Sequence, residues 1–340
     1  MPPRSSASRS PAPTRRANIV GEPGKTAIEI AASDVTLDLR GFELRGVAGS
    51  LSGVRVAGGQ RGVRVHGGAA RDWPGVGVDV SDALAVALDD LSALGCGTGI
   101  LAANQARLTR CLAGECVGSG IAVGQGCLIA DCLSRFNGGS GFYVLEGSRL
   151  ERCTAELNGS DGFYLDGDAA RVVESSAIGN GRHGVAAIYG ATLERVTADL
   201  NLARGIWSLG AMDARACRAA ANAEAGLYLG AGSRAVDCLV HANGQDGIRI
   251  EGDGELRNNL ARGQAAGAGL RVVGANHRVC DNHLVGNAVG LAVEGTGNLV
   301  IRNSAAGNRS AYAIAPGNAV GPILNAATIG AATNPFANFE

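Results

Sequence analysis

Aromatic residues are scarce in this chain: Phe, Tyr and Trp make up 4% of 340 residues, while Gly alone supplies 53. A packed globular core leans on large apolar side chains and carries about 7% Gly. Two ordinary compact domains are therefore excluded, and something repetitive is implied. Net charge is lacking too, since 30 basic and 31 acidic residues leave a formal charge of −1. No global field draws in nucleic acid or an anionic membrane, so any recognition must be local. The nine Cys include no CxxC pair, which argues against a zinc ribbon or a disulfide framework. No segment approaches the roughly 18 uninterrupted apolar residues of a membrane span. Residues 1–18 (MPPRSSASRSPAPTRRAN) are rich in Pro, Ser and Arg and lack the apolar run of a signal peptide. They read as a disordered basic leader before a soluble chain, and leave localisation unassigned.

What is present is a period. A Gly followed by an apolar, a variable and another apolar residue recurs at Gly77, Gly99, Gly120, Gly141, Gly162, Gly184, Gly205, Gly226, Gly247, Gly269 and Gly290, always 21 or 22 residues apart. A second column runs about four residues earlier through Asn137, Asn158, Asn180, Asn201, Asn222, Asn243, Gln264, Asn287 and Asn308. A third, midway between the Gly motifs, holds Cys111, Cys132, Cys153, Ser175, Val196, Cys217, Cys238, Asn259, Asn282 and Asn303. Small side chains at one place in each coil stack about 4.8 Å apart when strands pair in parallel. These Cys are thus read as packing units.

Period and pattern choose the fold class. The leucine-rich consensus is absent, and helical repeats need about 33 residues or more with a 3.6-residue period. Here four- or five-residue alternating segments are broken by Gly, Asn and Asp. The fold expected is all-β: a single-stranded right-handed parallel β-helix, a solenoid of about 13 coils over residues 19–316. Gly is expected to supply positive φ at the corners, with Asn amides bonding neighbouring backbone or the Asn of the next coil. The segments NGGSGFYV, NGSDGFYL and NGQDGIRI resemble the coils of right-handed β-helix proteins of the pectate-lyase-like superfamily, and TAIEIAASDVTLDLRGFEL resembles the entry coils of bacterial members. The resemblance spans about residues 25–315. It implies a carbohydrate-related role, since that group holds lyases, hydrolases, epimerases and adhesins, many of them exported.

Alternation decides direction. The residue after each motif Gly is apolar (Phe142, Phe163, Val185, Ile206, Leu227, Ile248) and points inward. The next residue points out, giving the column Asp79, Leu101, Ala122, Tyr143, Tyr164, Ala186, Trp207, Tyr228, Arg249, Arg271, Ala292. An outward row of Tyr143, Tyr164, Trp207 and Tyr228 ending in Arg249 and Arg271 suits sugar rings, whose C–H faces meet aromatic π-systems. The plainer reading is aromatic stacking within a parallel sheet.

The position before the motif Gly is expected to face solvent too, and places Asp161, His183 and Arg204 on consecutive coils, with Asp166 on the far edge. Carboxylate, imidazole and guanidinium there are the best candidates for general base, general acid and stabiliser of a uronate carboxylate. A solvated ion-pair ladder is the alternative. No family lyase signature or Asp-rich calcium cluster is present, so no cofactor is expected; Asp246, Glu251 and Asp253, like Asp79, Asp82, Asp89 and Asp90, read as turns before cation ligands. His241, His277 and His283 read as surface residues without ligand spacing, and His66 joins nothing. The functional reading is a carbohydrate-binding or structural surface protein using the aromatic row. The alternative is a lyase, epimerase or hydrolase acting on an acidic glycan. A polysaccharide is the partner implied, with no nucleic acid and no membrane insertion. The tail, residues 317–340, is expected to cap the last coil through Ile323, Leu324, Phe336 and Phe339.

Overall fold

Each coil bends three times, and at most of these bends one residue takes a left-handed backbone. The computed structural model describes residues 18–331 and 333–340. The leader expected over 1–18 lies, but for Asn18, outside the described residues. The chain winds into an all-β right-handed parallel solenoid of about 14 turns, close to the number expected. Three parallel sheets form its sides. The motif sheet holds strands such as Phe142–Leu145, Phe163–Asp166 and Ile206–Ser208; a second holds Arg149–Glu151 and Ala191–Glu194; a third holds Thr154–Glu156 and Thr197–Asp199. Each strand pairs in register with its counterpart one coil away.

The left-handed residue is often not Gly. Glu115, Phe136, Leu157, Leu200 and Ala221 hold positive φ at the bend before the motif sheet, and Asp90, Arg110, Asp131, Arg152, Glu174 and Arg195 do so between the second and third sheets. This corrects the expectation that Gly supplies these corners. The motif Gly are needed for closeness instead: a Cβ on Gly205 would lie 2.7 Å from both Asn222 Nδ2 and the Gly226 carbonyl oxygen.

What the corner needs is an acceptor. Along the Asn column, and at part of the other corners, the residue after the left-handed position points inward and its backbone N–H meets a side chain of the next coil. Asn180 sends its N–H and its amide N–H to Asn201 Oδ1, each at 3.0 Å, while Asn201 Nδ2 donates to the Ala177 carbonyl at 3.2 Å. The relation repeats along the Asn column as far as Asn308. The Cys column does the same with weaker groups: the Cys111 N–H meets Cys132 Sγ at 3.4 Å, Cys153 meets Ser175 Oγ at 3.0 Å, and Cys238 meets Asn259 Oδ1 at 2.9 Å. All nine Cys are buried free thiols, as their reading as packing units requires. At the third bend Cys127 meets Ser148 and His277 meets Asn298. Between these ladders Phe142, Phe163, Leu150, Leu193 and their neighbours fill the core.

At the start Ile19–Val20 pair with Leu44–Arg45, so parallel pairing runs from residue 19. The indole of Trp73, fully buried, donates to the Leu44 carbonyl and fills the entry coils. At the other end the tail caps by hydrogen bonding more than by apolar cover. Asn338 accepts from the Asn303 N–H at 2.9 Å and so supplies the ladder's last rung, and Tyr312 donates to the Phe339 carbonyl. Phe336 and Ile323, expected to cover core, stay 51% and 42% exposed.

The ladder predicts an unequal response to substitution. Asn201→Ala strands two buried donors of Asn180 and should cost about 2–4 kcal/mol. Arg195→Ala, which removes a solvent-exposed pair with Glu174, should cost far less, because water screens such a pair. Urea unfolding of the two variants measures this; equal costs would mean that the ladder is not what holds the coils.

Candidate functional site

Register turns the outward column into a continuous row. Pairings run Ala122↔Tyr143, Tyr143↔Tyr164, Tyr164↔Ala186, Ala186↔Trp207, Trp207↔Tyr228, Tyr228↔Arg249 and Arg249↔Arg271. From Tyr143 to Arg271 the row covers seven coils, about 29 Å at about 4.8 Å per coil. Its side chains touch. Tyr143 and Tyr164 stack with ring centroids 5.3 Å apart. The column has only Ala186 in the next coil, and the His183 ring of that same coil stacks on Trp207 at 5.4 Å, leaving Ala186 fully buried. The Arg204 guanidinium lies 4.4 Å from the Tyr228 ring centre, with Arg249 at 5.4 Å beside it. Carboxylates anchor the phenols: Tyr143 donates to Asp166 at 2.6 Å and Tyr228 to Glu251 at 2.5 Å. The bond to Asp166 pushes the Tyr143 phenol up to about 12.

The three candidate catalytic residues are neighbours, and the side chains of two of them, Asp161 and His183, are committed to the backbone. Asp161 and His183, expected to face solvent, are 1% and 5% exposed. The backbone N–H at this pre-Gly position is taken by the side chain one coil earlier: His183 N donates to Asp161 Oδ1 at 3.0 Å, Arg204 N to His183 Nδ1 at 3.3 Å, and Ala268 N to Asp246 Oδ1 at 2.8 Å. Burial raises the Asp161 carboxyl above its ordinary value and holds the His183 imidazole down to about 4, with Arg182 and Arg204 adding to the second effect. No carboxylate bonds the imidazole. Since Nδ1 accepts, the ring proton sits on Nε2. Among the described residues the one buried side-chain polar atom left without a partner is His277 Nδ1, so His183 Nε2–H, unbonded within the protein, keeps contact with solvent as a donor. Arg204 pairs with Glu224 at 3.0 Å.

A family profile described as the right-handed beta helix region matches residues 74–215 and 150–309. The chain belongs to the right-handed β-helix family. Among solved structures it is similar to the A-module of the Azotobacter vinelandii mannuronan C-5 epimerase AlgE4, with 15% identity, TM-score 0.53, and 87% of this chain and 90% of that one covered. The A-module of the epimerase AlgE6 from the same organism follows at 14% identity, TM-score 0.52, and 95% and 89% coverage. At these identities the likeness is one of fold. No curated protein matches the sequence.

The remaining polar groups of this β-helix are dispersed. Asp246 pairs with Arg271, Glu251 with Arg249, and Asp253 caps the Gly232 N–H, so the acidic group noted in the sequence does not assemble. The earlier cluster separates likewise, Asp82 to Arg55, Asp89 to Arg64 and Asp90 to Arg110. Among the described residues no three His, Cys, Asp or Glu side chains are gathered to hold a metal ion. His277, read as a surface residue, is buried in the third corner ladder, its Nε2 on the Val273 carbonyl. Residues the sequence reading passed over border the row: Glu224 and Glu294 hold Arg204 and Arg271, and Tyr189 and Leu209 stand 50% and 64% exposed at its edge. Glu251 was legible, being two residues beyond Arg249 and so on the same face.

Neutral His183 makes stability depend on pH. Unfolded His takes up a proton near about 6.5, while the folded ring resists until about 4. The unfolded chain thus binds more protons in that window, and stability falls as pH drops through it. His183→Asn keeps an acceptor for the Arg204 N–H but does not titrate. Unfolding midpoints measured between pH 6.5 and 4 should fall less steeply for the variant; identical slopes would refute the neutral, buried assignment. His277, also held low by burial, acts in both proteins and drops out of the difference.

Proposed function

We propose that the motif sheet is a binding platform for a linear polysaccharide, and that it works by recognition without chemistry. The observation that carries this reading is the half-buried outward row from Tyr143 to Arg271, with stacked pairs at Tyr143–Tyr164 and His183–Trp207, in which the rise per coil is close to the length of one sugar ring. Apolar C–H faces would lie on Tyr143, Tyr164, Trp207 and Tyr228, and His183 Nε2–H would donate to a hydroxyl. The fold is similar to that of the A-modules of two mannuronan C-5 epimerases, which supports a polysaccharide over a small ligand.

Catalysis at the trio is the weaker reading, for a geometric reason. A general base needs an unprotonated nitrogen facing substrate, and His183 turns its lone pair to the Arg204 N–H instead. Asp161 is spent on a backbone N–H, and Arg204, expected to meet a uronate carboxylate, already pairs with Glu224. Coils of 21 or 22 residues also leave no long loops to wall a groove.

Affinity electrophoresis against a polysaccharide panel, with reducing-end and unsaturated-uronate assays on the same mixtures, tests the proposal. Trp207→Ala should weaken binding by about tenfold, the effect of losing one aromatic platform worth roughly 1–1.5 kcal/mol, and no product should form. Product that disappears in His183→Ala would replace this reading with a lyase, epimerase or hydrolase.

A further inference from the structure

The charges around the row are not arranged for a polyanion. Four arginines border or belong to it, and each is already engaged: Arg182 with Asp161, Arg204 with Glu224, Arg249 with Glu251, and Arg271 with Asp246 and Glu294. A uronate chain would have to break these pairs to be held. The edge where the chain leaves the motif sheet is more one-sided. From Leu145 to Gly147, Asp166 to Ala169, Ile188 to Gly190, Leu209 to Ala211 and Glu251 to Asp253 it carries Glu146, Asp166, Asp168, Glu251 and Asp253, and no Lys or Arg. Only Glu251 of these five pairs with a cation. Glu146 accepts from Gln125, Asp166 from the Tyr143 phenol, and Asp168 and Asp253 from the N–H groups of Gly190 and Gly232. The other four therefore have no cation beside them, and three of these, Glu146, Asp166 and Asp168, lie in the two coils of the Tyr143–Tyr164 stack.

We infer that the row takes a polysaccharide carrying free amino groups. This rests on the platform reading and narrows its substrate. The ammonium of an amino sugar stacked on Tyr143 or Tyr164 would lie toward Asp166, between Glu146 and Asp168, where a carboxylate rim and two π-faces both favour a cation. A polyuronate would meet the same rim as repulsion.

The test uses the full chain and three probes in mildly acidic buffer of low ionic strength: chitosan oligosaccharides, their fully N-acetylated counterparts, and polygalacturonate. Chitosan should bind at least about tenfold more tightly than the acetylated form, and the preference should collapse in about 0.5 M salt. Asp166→Asn, whose amide oxygen still accepts the Tyr143 phenol, should lose the preference while keeping its affinity for the acetylated oligomer; Glu146→Gln, fully at the surface, should lose part of it. Equal binding of both forms, or preference for polygalacturonate, with Trp207→Ala still harmful, would overturn the amino-sugar assignment and leave the platform standing. No binding of any glycan would overturn both.

Discussion

Everything in this solenoid follows from the backbone N–H that comes after a left-handed corner. Within the sheets, carbonyls of adjacent coils accept the N–H groups; at a bend the chain turns inward and the N–H points into the core. Leaving such a donor unpaired in an apolar interior costs about 1–3 kcal/mol, and the penalty would recur at every bend. Where the side chain one coil on is an acceptor it removes that cost, strong as in Asn201 or weak as in Cys132, while Val196, opposite Ser175, offers none. Because each rung is both donor and acceptor, no coil can slip without breaking bonds on both sides. Register is thereby locked, and with it the outward row.

That constraint explains what could be read from the sequence. The Asn and Cys columns are visible because the same chemistry is demanded every 21 or 22 residues. Direction within the motif strands was visible too, since Phe142 and Tyr143 alternate. The corners were not. A left-handed residue needs only to be followed by an inward one, so Phe136, Arg110 and Asp131 serve as readily as Gly, and the motif Gly turn out to clear space for Asn amides. The position before the motif Gly was misread for the same reason. Alternation carried back two residues from inward Phe163, Val185 and Ile248 puts this position on the inner side, where the N–H of the next coil claims the side chain of Asp161, His183 and Asp246. Pairings such as Arg204 with Glu224 depend on how two coils lie together, which no single column reveals.

The row therefore inherits its rigidity from the ladder. The residues that would do acid–base chemistry are part of the scaffold, and those left free are aromatic faces, one imidazole N–H and a carboxylate rim. Recognition along several coils is what such a surface can do, each coil offering a similar contact at a fixed rise. Burial that keeps His183 neutral also keeps it a donor across the ordinary pH range.

The protonation of one ring decides between recognition and catalysis. Long-range proton–nitrogen NMR of the His183 side chain at neutral pH should show Nδ1 unprotonated and hydrogen-bonded, and Nε2 carrying the proton. The opposite tautomer, with Nε2 bare toward solvent, would contradict the account, because the imidazole would then be free of the backbone and available as a base.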